Sequence, residues 1–277
     1  MKARKITPAL VLCALLFAIF LFCSIYPLFQ VILISLKSTR EFTLNATGLP
    51  TTLQFSNFST AWQKGNFSQL FLNSVIITVV TVVLSVALAS PAGFALSKLK
   101  PKGARAIYYY FILGMIIPVQ VIMISLIKMG QATHLNNTLL FMIFIFTATG
   151  ISFPLIIYTS FYKGLPMNVI EAAKIDGCNT FQLFTRIVFP LTNSVNATVA
   201  IIAGMYPWKD LFVPLVFGDS DNLRTLTVGL MHFSSSYFTD WPTIFAGVII
   251  ISLPIVLIYL AMQRYFIEGI TAGAVKG

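Results

Sequence analysis

The sequence predicts an all-α protein that crosses a membrane six times, with both termini in the cytosol. Three observations lead to that class. The 277-residue chain is 57% hydrophobic and 9% charged, whereas a soluble domain carries roughly 25% charged residues. Its apolar residues gather into six runs, each matching the roughly twenty helical residues that a bilayer requires. Its Lys and Arg then gather on one side of those runs, the asymmetry that sets orientation in a membrane.

The runs cover about 9–34, 70–95, 106–127, 138–160, 192–217 and 242–262. All should be helices, because hydrocarbon offers backbone N–H and C=O groups no other partner. With the N-terminus inside, the cytosolic segments hold Lys2, Arg4, Lys5, Lys98, Lys100, Lys102, Arg105, Lys163, Lys174, Arg186, Arg264 and Lys276. The outer segments hold Lys37, Arg40, Lys64, Lys128 and Arg224, and Lys209 falls within the fifth run. The first run follows a basic start but is too long for a cleaved signal and lacks a small-residue cleavage pattern, so it reads as an anchor that stays. This divides the chain into an anchor with its outer loop (1–68), a core of five spans (69–264) with a cytosolic loop at 161–191, and a tail (265–277). Pro118, Pro154 and Pro254 fall inside the third, fourth and sixth runs and should kink them. Such breaks are tolerated where a helix faces protein or a water-filled cavity, which suggests a translocation path.

Composition excludes several functions. The net charge of +10 does not point to nucleic acid, because most of it lies in short loops beside the spans, next to anionic lipid. Cys13, Cys23 and Cys178 form no paired framework and read as packing residues. The two histidines, His134 and His232, lie in outer loops without clustered acids, metal spacing or a phosphate-binding glycine loop. No catalytic residue, metal site or cofactor is therefore expected in this chain. An ion-coupled carrier is the alternative transporter class, but carriers place ionisable residues inside the membrane. Here the in-span charges are Lys209 and Asp210, adjacent and near the outer end.

The polar break between the fourth and fifth runs is the most informative stretch. Pro166 suits the start of a helix, and Asn168, Glu171 and Lys174 then share one face beside a small apolar face of Ile170 and Ala173. Gly177 suits the left-handed residue that ends such a helix. Asn179 and Gln182 have the spacing of a capping box for a second helix, on which Phe181, Phe184 and Val188 should share the apolar face up to Pro190. A rigid helix-turn-helix hook of this kind transmits force where a floppy loop would absorb it.

The hook resembles the docking loop of binding-protein-dependent ABC importer permeases: Glu171-Ala172-Ala173, three residues, Gly177, nine residues, Ile187, one residue, then Phe189-Pro190 where that family has Leu-Pro. Further resemblance to its maltose-type carbohydrate branch lies in Asn73-Ser74, Ala92-Gly93-Phe94-Ala95-Leu96-Ser97, Ile116-Ile117-Pro118-Val119-Gln120 and Leu135-Asn136-Asn137-Thr138. Trp208-Lys209-Asp210-Leu211-Phe212 resembles a W-N-[DE]-F signature, with Lys209 in place of Asn and one extra residue. The resemblance implies the type I ABC importer membrane fold and a role as one of two homologous permease subunits in a prokaryotic cell membrane. Two separate ATPase subunits would bind ATP and Mg, and an extracytoplasmic solute-binding protein would deliver a carbohydrate. It implies ATPase coupling through Glu171, Ala172, Ala173, Gly177 and Pro190. It also implies a tail reaching the ATPases with Gly273, Lys276 and Gly277, and a binding-protein contact at Asp219, Asp221 and Arg224 in the outer loop 218–241. Tyr206 and Trp208 are the candidate substrate contacts.

Overall fold

The computed structural model describes residues 7–218, 220–236 and 240–274, and among them every regular element is a helix. The chain forms two units, Met1–Phe67 with Leu230–Leu253, and Ser68–Gly229 with Pro254–Gly277.

In the first unit, α1 (Pro8–Ser35) starts with proline in its first turn, where the missing N–H costs nothing. From Leu10 to Phe29 its leucines and phenylalanines are exposed, as befits a helix dissolved in lipid. Its outer end is tied down by polar groups. Lys37 is buried, and its Nζ donates to the carbonyls of Asn45 (2.7 Å) and Ala46 (3.1 Å). Asn57 Nδ2 donates to the carbonyls of Ser35 and Lys37, each at 2.8 Å. The segment expected to be an outer loop is thus folded into α2 (Thr39–Leu44), capped by the Ser38 side chain, and α3 (Ser56–Lys64). The latter buries Ala61 in a small core with Phe233, Ile244 and Ala246.

The second unit is built on α4 (Phe67–Phe94), which finishes in a widened turn where Lys100 N–H reaches back five residues to the Ala95 carbonyl. Lys100 (φ +47°) and Gly103 (φ +83°) are left-handed and turn the chain into α5 (Ala104–Gly114). α6 (Met123–Ala132) follows after a 90° bend. Pro118 sits in the bend with extended backbone, where it lacks a donor and disfavours a helical residue before it. α7 (Leu139–Gly150) and α8 (Ser152–Gly164) meet at 46°. Pro154 has no N–H for the Gly150 carbonyl, so the break falls one turn ahead of it.

α9 (Met167–Ile175) and α10 (Thr180–Gln182) form the hook, and the chain passes through Leu183–Val188 and Pro190–Thr192 into α11 (Asn193–Lys209). α12 (Phe212–Phe217) also belongs to this unit, and α13 (Leu226–Ser236) and α14 (Trp241–Ala274) complete the chain. Leu10–Ser35, Phe67–Leu99, Thr180–Lys209 and Trp241–Ala261 are long and apolar enough to cross a membrane, and the number reaches the six expected when each bent pair is counted as one span.

One expectation needs correction. The fifth crossing does not run to 217: α11 stops at Lys209, Asp210 is extended, and its Oδ1 accepts the Val213 N–H at 2.8 Å to cap α12. Aspartate favours such a cap over a helix interior. α14 continues through Pro254 as a single helix. The backbone of α14 stays helical from 265 to 274; extending a formed helix avoids the cost of nucleating one.

Two cores stack along α4. An outer one joins Ile77, Phe141, Met142, Phe146, Val213 and Phe217. An inner one joins Ala89, Phe94, Leu155, Tyr158, Tyr162, Val195 and Val199 to the hook residues Ile170, Ala173, Leu183 and Val188. Ile77 and Phe94 are about 25 Å apart along a helix that rises 1.5 Å per residue, so the cores occupy opposite ends of the span.

Candidate functional site

The hook is locked by its own backbone. α9 ends in a paired motif: Cys178 N–H bonds the Ala173 carbonyl at 3.0 Å and Gly177 N–H bonds that of Lys174 at 3.1 Å, with Gly177 at φ +82°. This is the Schellman ending, in which the left-handed residue satisfies orphan carbonyls. No atom lies within 4 Å of where a Gly177 Cβ would stand, so glycine is required for conformation rather than for space. The capping box then starts α10 as expected: Asn179 Oδ1 accepts Gln182 N–H at 2.9 Å, and Gln182 Oε1 accepts Asn179 N–H at 3.0 Å.

The second arm differs from its expected form. Over Leu183–Val188 the ladder widens, and Phe189 N–H bonds the Phe184 carbonyl five residues back. Leu183 and Val188, five apart, are buried together, while Phe181 is 74% exposed. The expected face of Phe181, Phe184 and Val188 assumed a period of 3.6, which this winding breaks. Nor does Pro190 end the arm. It sits where the winding changes, and Thr192 N–H bonds the Phe189 carbonyl across it, so its missing donor interrupts little. The arm and α11 form one stretch, Thr180–Lys209.

The residues expected to couple divide by face. Glu171, Ala172, Gly177 and Pro190 are exposed. Ala173 is 2% exposed and packs inward with Ile170 against the hook's own core, so it positions the hook rather than meeting a partner directly. Ile175 is 85% exposed and, with Phe181, gives the hook an apolar outer surface. The sequence reading missed Ile175 and grouped Phe181 with the packing face of the second arm.

Hydroxyl bonds brace the base of the hook. Tyr158 Oη on α8 donates to Asn196 Oδ1 on α11 at 2.6 Å, and Thr192 Oγ1 donates to the same oxygen at 3.1 Å. Ser90 and Tyr162 share a hydrogen bond of 2.7 Å between α4 and α8.

Between the two cores lies a cavity of about 460 Å³. Helix breaks frame it: Met115 follows α5, and Gly150 and Pro154 flank the α7–α8 bend. Its polar lining comprises Thr81, Ser85, Thr149, Tyr206 and Lys209. Tyr206 and Thr149 hydroxyls lie 3.2 Å apart, and Phe146 meets the Tyr206 ring edge-on at 5.3 Å. Thr81 Oγ1 is buried with no hydrogen-bond partner among the described residues. Trp208, in contrast, is 7% exposed, meets Phe71 edge-on at 6.0 Å and does not line this cavity. Positions two apart on a helix point about 200° away from each other, whereas three apart differ by about 60°. Tyr206 and Lys209 therefore share the cavity face, and Trp208 cannot.

At the outer end, Asn73 Nδ2 donates to the carbonyls of Asn222 (2.8 Å) and Arg224 (2.9 Å), and Leu226 N–H donates to Ser74 Oγ at 2.9 Å. Asp221 and Arg224 form an ion pair within that turn. The other expected contact, Asp219, lies outside the described residues, as do Lys276 and Gly277 of the tail; Gly273 belongs to α14.

Comparison with known proteins decides the family. Residues 85–271 match the binding-protein-dependent transport system inner membrane component. The chain belongs to this family. The permease is 34% identical to the probable starch degradation products transport system permease protein AmyC of Thermoanaerobacterium thermosulfurigenes, over 91% of this chain and 92% of that one. It is 31% identical over the full length of both chains to the melibiose/raffinose/stachyose import permease protein MelC of Bacillus subtilis. Among solved structures, a chain of a bacterial ABC transporter involved in the import of the acidic polysaccharide alginate superposes with a TM-score of 0.82, covering 95% of the permease and 100% of that chain at 21% identity. At that identity the likeness is one of fold, and the fold is that of an ABC importer's membrane subunit. The protein is a multi-pass membrane component of a transport system.

Proposed function

We propose that the permease forms one half of the translocation pathway of an ATP-driven carbohydrate importer in a prokaryotic cell membrane. A second, homologous permease forms the other half. Two ATPase subunits, which hold ATP and Mg, grip the hook, and an extracytoplasmic solute-binding protein delivers the sugar at the outer end. The observation that carries this reading is the outer surface of the hook. A capped, rigid turn holds Ile175 and Phe181 in the open beside Glu171. Leaving such side chains in water forgoes roughly 1.5–3 kcal/mol each, so the surface is suited to a partner that covers it. A carbohydrate cargo is supported by the names of the relatives and by the chemistry of the central cavity, whose hydroxyls, aromatic rings and Lys209 offer hydrogen bonds and stacking to a polyhydroxylated solute.

The test is affinity purification of the tagged chain from gently solubilised membranes, with mass spectrometry of what accompanies it. A second permease, an ATPase and a binding protein are expected. The chain alone, or paired only with itself, would overturn the coupling role of the hook. Uptake of labelled melibiose, arabino-oligosaccharides and starch oligosaccharides then ranks the cargo.

A further inference from the structure

A second cleft, of about 880 Å³, lies on the cytosolic side between the end of α4, the start of α5 and the end of α8. Four cations line it: Lys98, Lys100, Arg105 and Lys163. Their places are set by the fold. Lys98 Nζ donates to the carbonyls of Leu165 (2.6 Å) and Lys163 (3.3 Å), which ties it to the end of α8. Lys100 is held at its rim by a left-handed backbone. Arg105 lies 5.7 Å from the Tyr109 ring centre, and Lys163 Nζ lies 5.1 Å from that of Tyr108, so two cations rest on aromatic faces. Among the described residues, no carboxylate pairs with Lys100, Arg105 or Lys163.

The surroundings of the cleft say what fills it. Leu99 and Tyr109, which line it, are exposed, on segments that enter the membrane. Such side chains want acyl chains, and tyrosines at this level mark the lipid headgroup zone. A concentrated positive charge directly above an apolar flank matches a molecule with an anionic head and two hydrocarbon tails. A basic pocket between spans on the cytoplasmic side is a recurrent form of headgroup site.

We propose that this cleft binds the phosphate headgroup of an anionic phospholipid from the cytosolic leaflet. The phosphate lies among Lys100, Arg105 and Lys163, and the acyl chains run down past Leu99 and Tyr109. Met167, the first residue of α9, also lines the cleft. A bound headgroup therefore touches the root of the hook and stiffens its first arm.

The experiment uses the full chain in its purified complex, delipidated in detergent. Mixed micelles of phosphatidylglycerol, mixed micelles of phosphatidylcholine and inorganic phosphate are the probes; lipid retention by native mass spectrometry and the thermal midpoint are the readouts. Lys100→Gln, Arg105→Gln and Lys163→Gln are made singly and together, with Lys102→Gln as control because that neighbouring cation lies outside the cleft lining. Wild type and Lys102→Gln should retain phosphatidylglycerol over phosphatidylcholine. Each cleft variant should weaken retention roughly fivefold, and the triple variant at least about tenfold. The single variants carry the test if the triple fails to elute as a folded complex. Equal retention by the triple variant, an equal loss in Lys102→Gln, or no preference over phosphatidylcholine overturns the site. An equal thermal shift with inorganic phosphate overturns the lipid assignment in favour of a free anion. Loss of an accompanying ATPase with lipid retention unchanged overturns it in favour of a protein contact. Neither readout depends on transport, so failure here is separable from failure of the importer reading.

Discussion

The hydroxyl of Tyr158 donates to Oδ1 of Asn196 at 2.6 Å, joining the helix that enters the hook to the helix that leaves it. The hook is therefore not a loop hung from two independent spans. Its two roots are bonded to each other inside the inner core, where Tyr158 is fully buried. A push on the hook moves α8 and α11 together.

Tyr158→Phe should keep the packing and lose the bond. Interhelical hydrogen bonds in membranes are worth about 0.6 kcal/mol on average, so the thermal midpoint should fall by a degree or two. Asn196→Leu should cost more, because it strands the Tyr158 hydroxyl in an apolar core. In both, transport should fall further than stability does, which paired uptake and thermal-melt measurements will read. Uptake that merely tracks stability would remove the coupling role of this bond.

Gly93 is a contact that cannot grow. A Cβ there would stand 2.8 Å from Tyr158 Cβ and 3.0 Å from Thr159 N, backbone and near-backbone atoms that cannot swing away. Small residues at such crossings let helices approach in lipid. Gly93→Ala should shift the α4–α8 contact and lower the midpoint, and Gly93→Leu should abolish recovery of folded protein. Size-exclusion profiles and melts of the two variants check the order.

At Gly177 the constraint is backbone conformation alone. Gly177→Ala should cost about 1–2 kcal/mol of local stability for its left-handed conformation, with no clash. Gly177→Asn should cost less, since asparagine tolerates that region. Glu171→Lys should leave stability unchanged, because Glu171 is exposed and forms no ion pair among the described residues. All three should still reach the membrane, and Glu171→Lys should block uptake. Normal uptake by Glu171→Lys would sink the assignment of this residue to coupling.

What was legible in the sequence was local. Pro118 announces its bend because one residue lacks a donor, and Gly177, Asn179 and Gln182 announce the hook's turns because each cap closes within a few residues. The face of the second arm was not legible, since the winding over 183–188 changes the period that any pattern reading assumes. Tyr206 and Trp208 read as one aromatic pair in the sequence and separate once helical phase is applied. The clamp of Asn73 on Arg224 joins residues 151 apart, and no local signal pairs them.

That clamp yields the last prediction. Asn73 is 1% exposed, and its amide satisfies two carbonyls of the 220–225 turn. Asn73→Ala removes both donors at once and leaves two carbonyls facing a buried site. A hydrogen bond contributes roughly 0.5–1.5 kcal/mol and a stranded group costs 1–3 kcal/mol, which is enough to open a short turn without unfolding the spans. Amide exchange across 220–226 should accelerate in Asn73→Ala while that of α4 and α8 stays as in wild type. Ser74→Ala, which loses a single bond to Leu226 N–H, should give a smaller change in the same turn. If the turn delivers a solute from a binding protein, both variants should raise the binding protein concentration needed for half-maximal uptake, in that order. Unchanged exchange in Asn73→Ala would mean that the turn is held by its own Asp221–Arg224 ion pair, and that Asn73 serves only the end of α4.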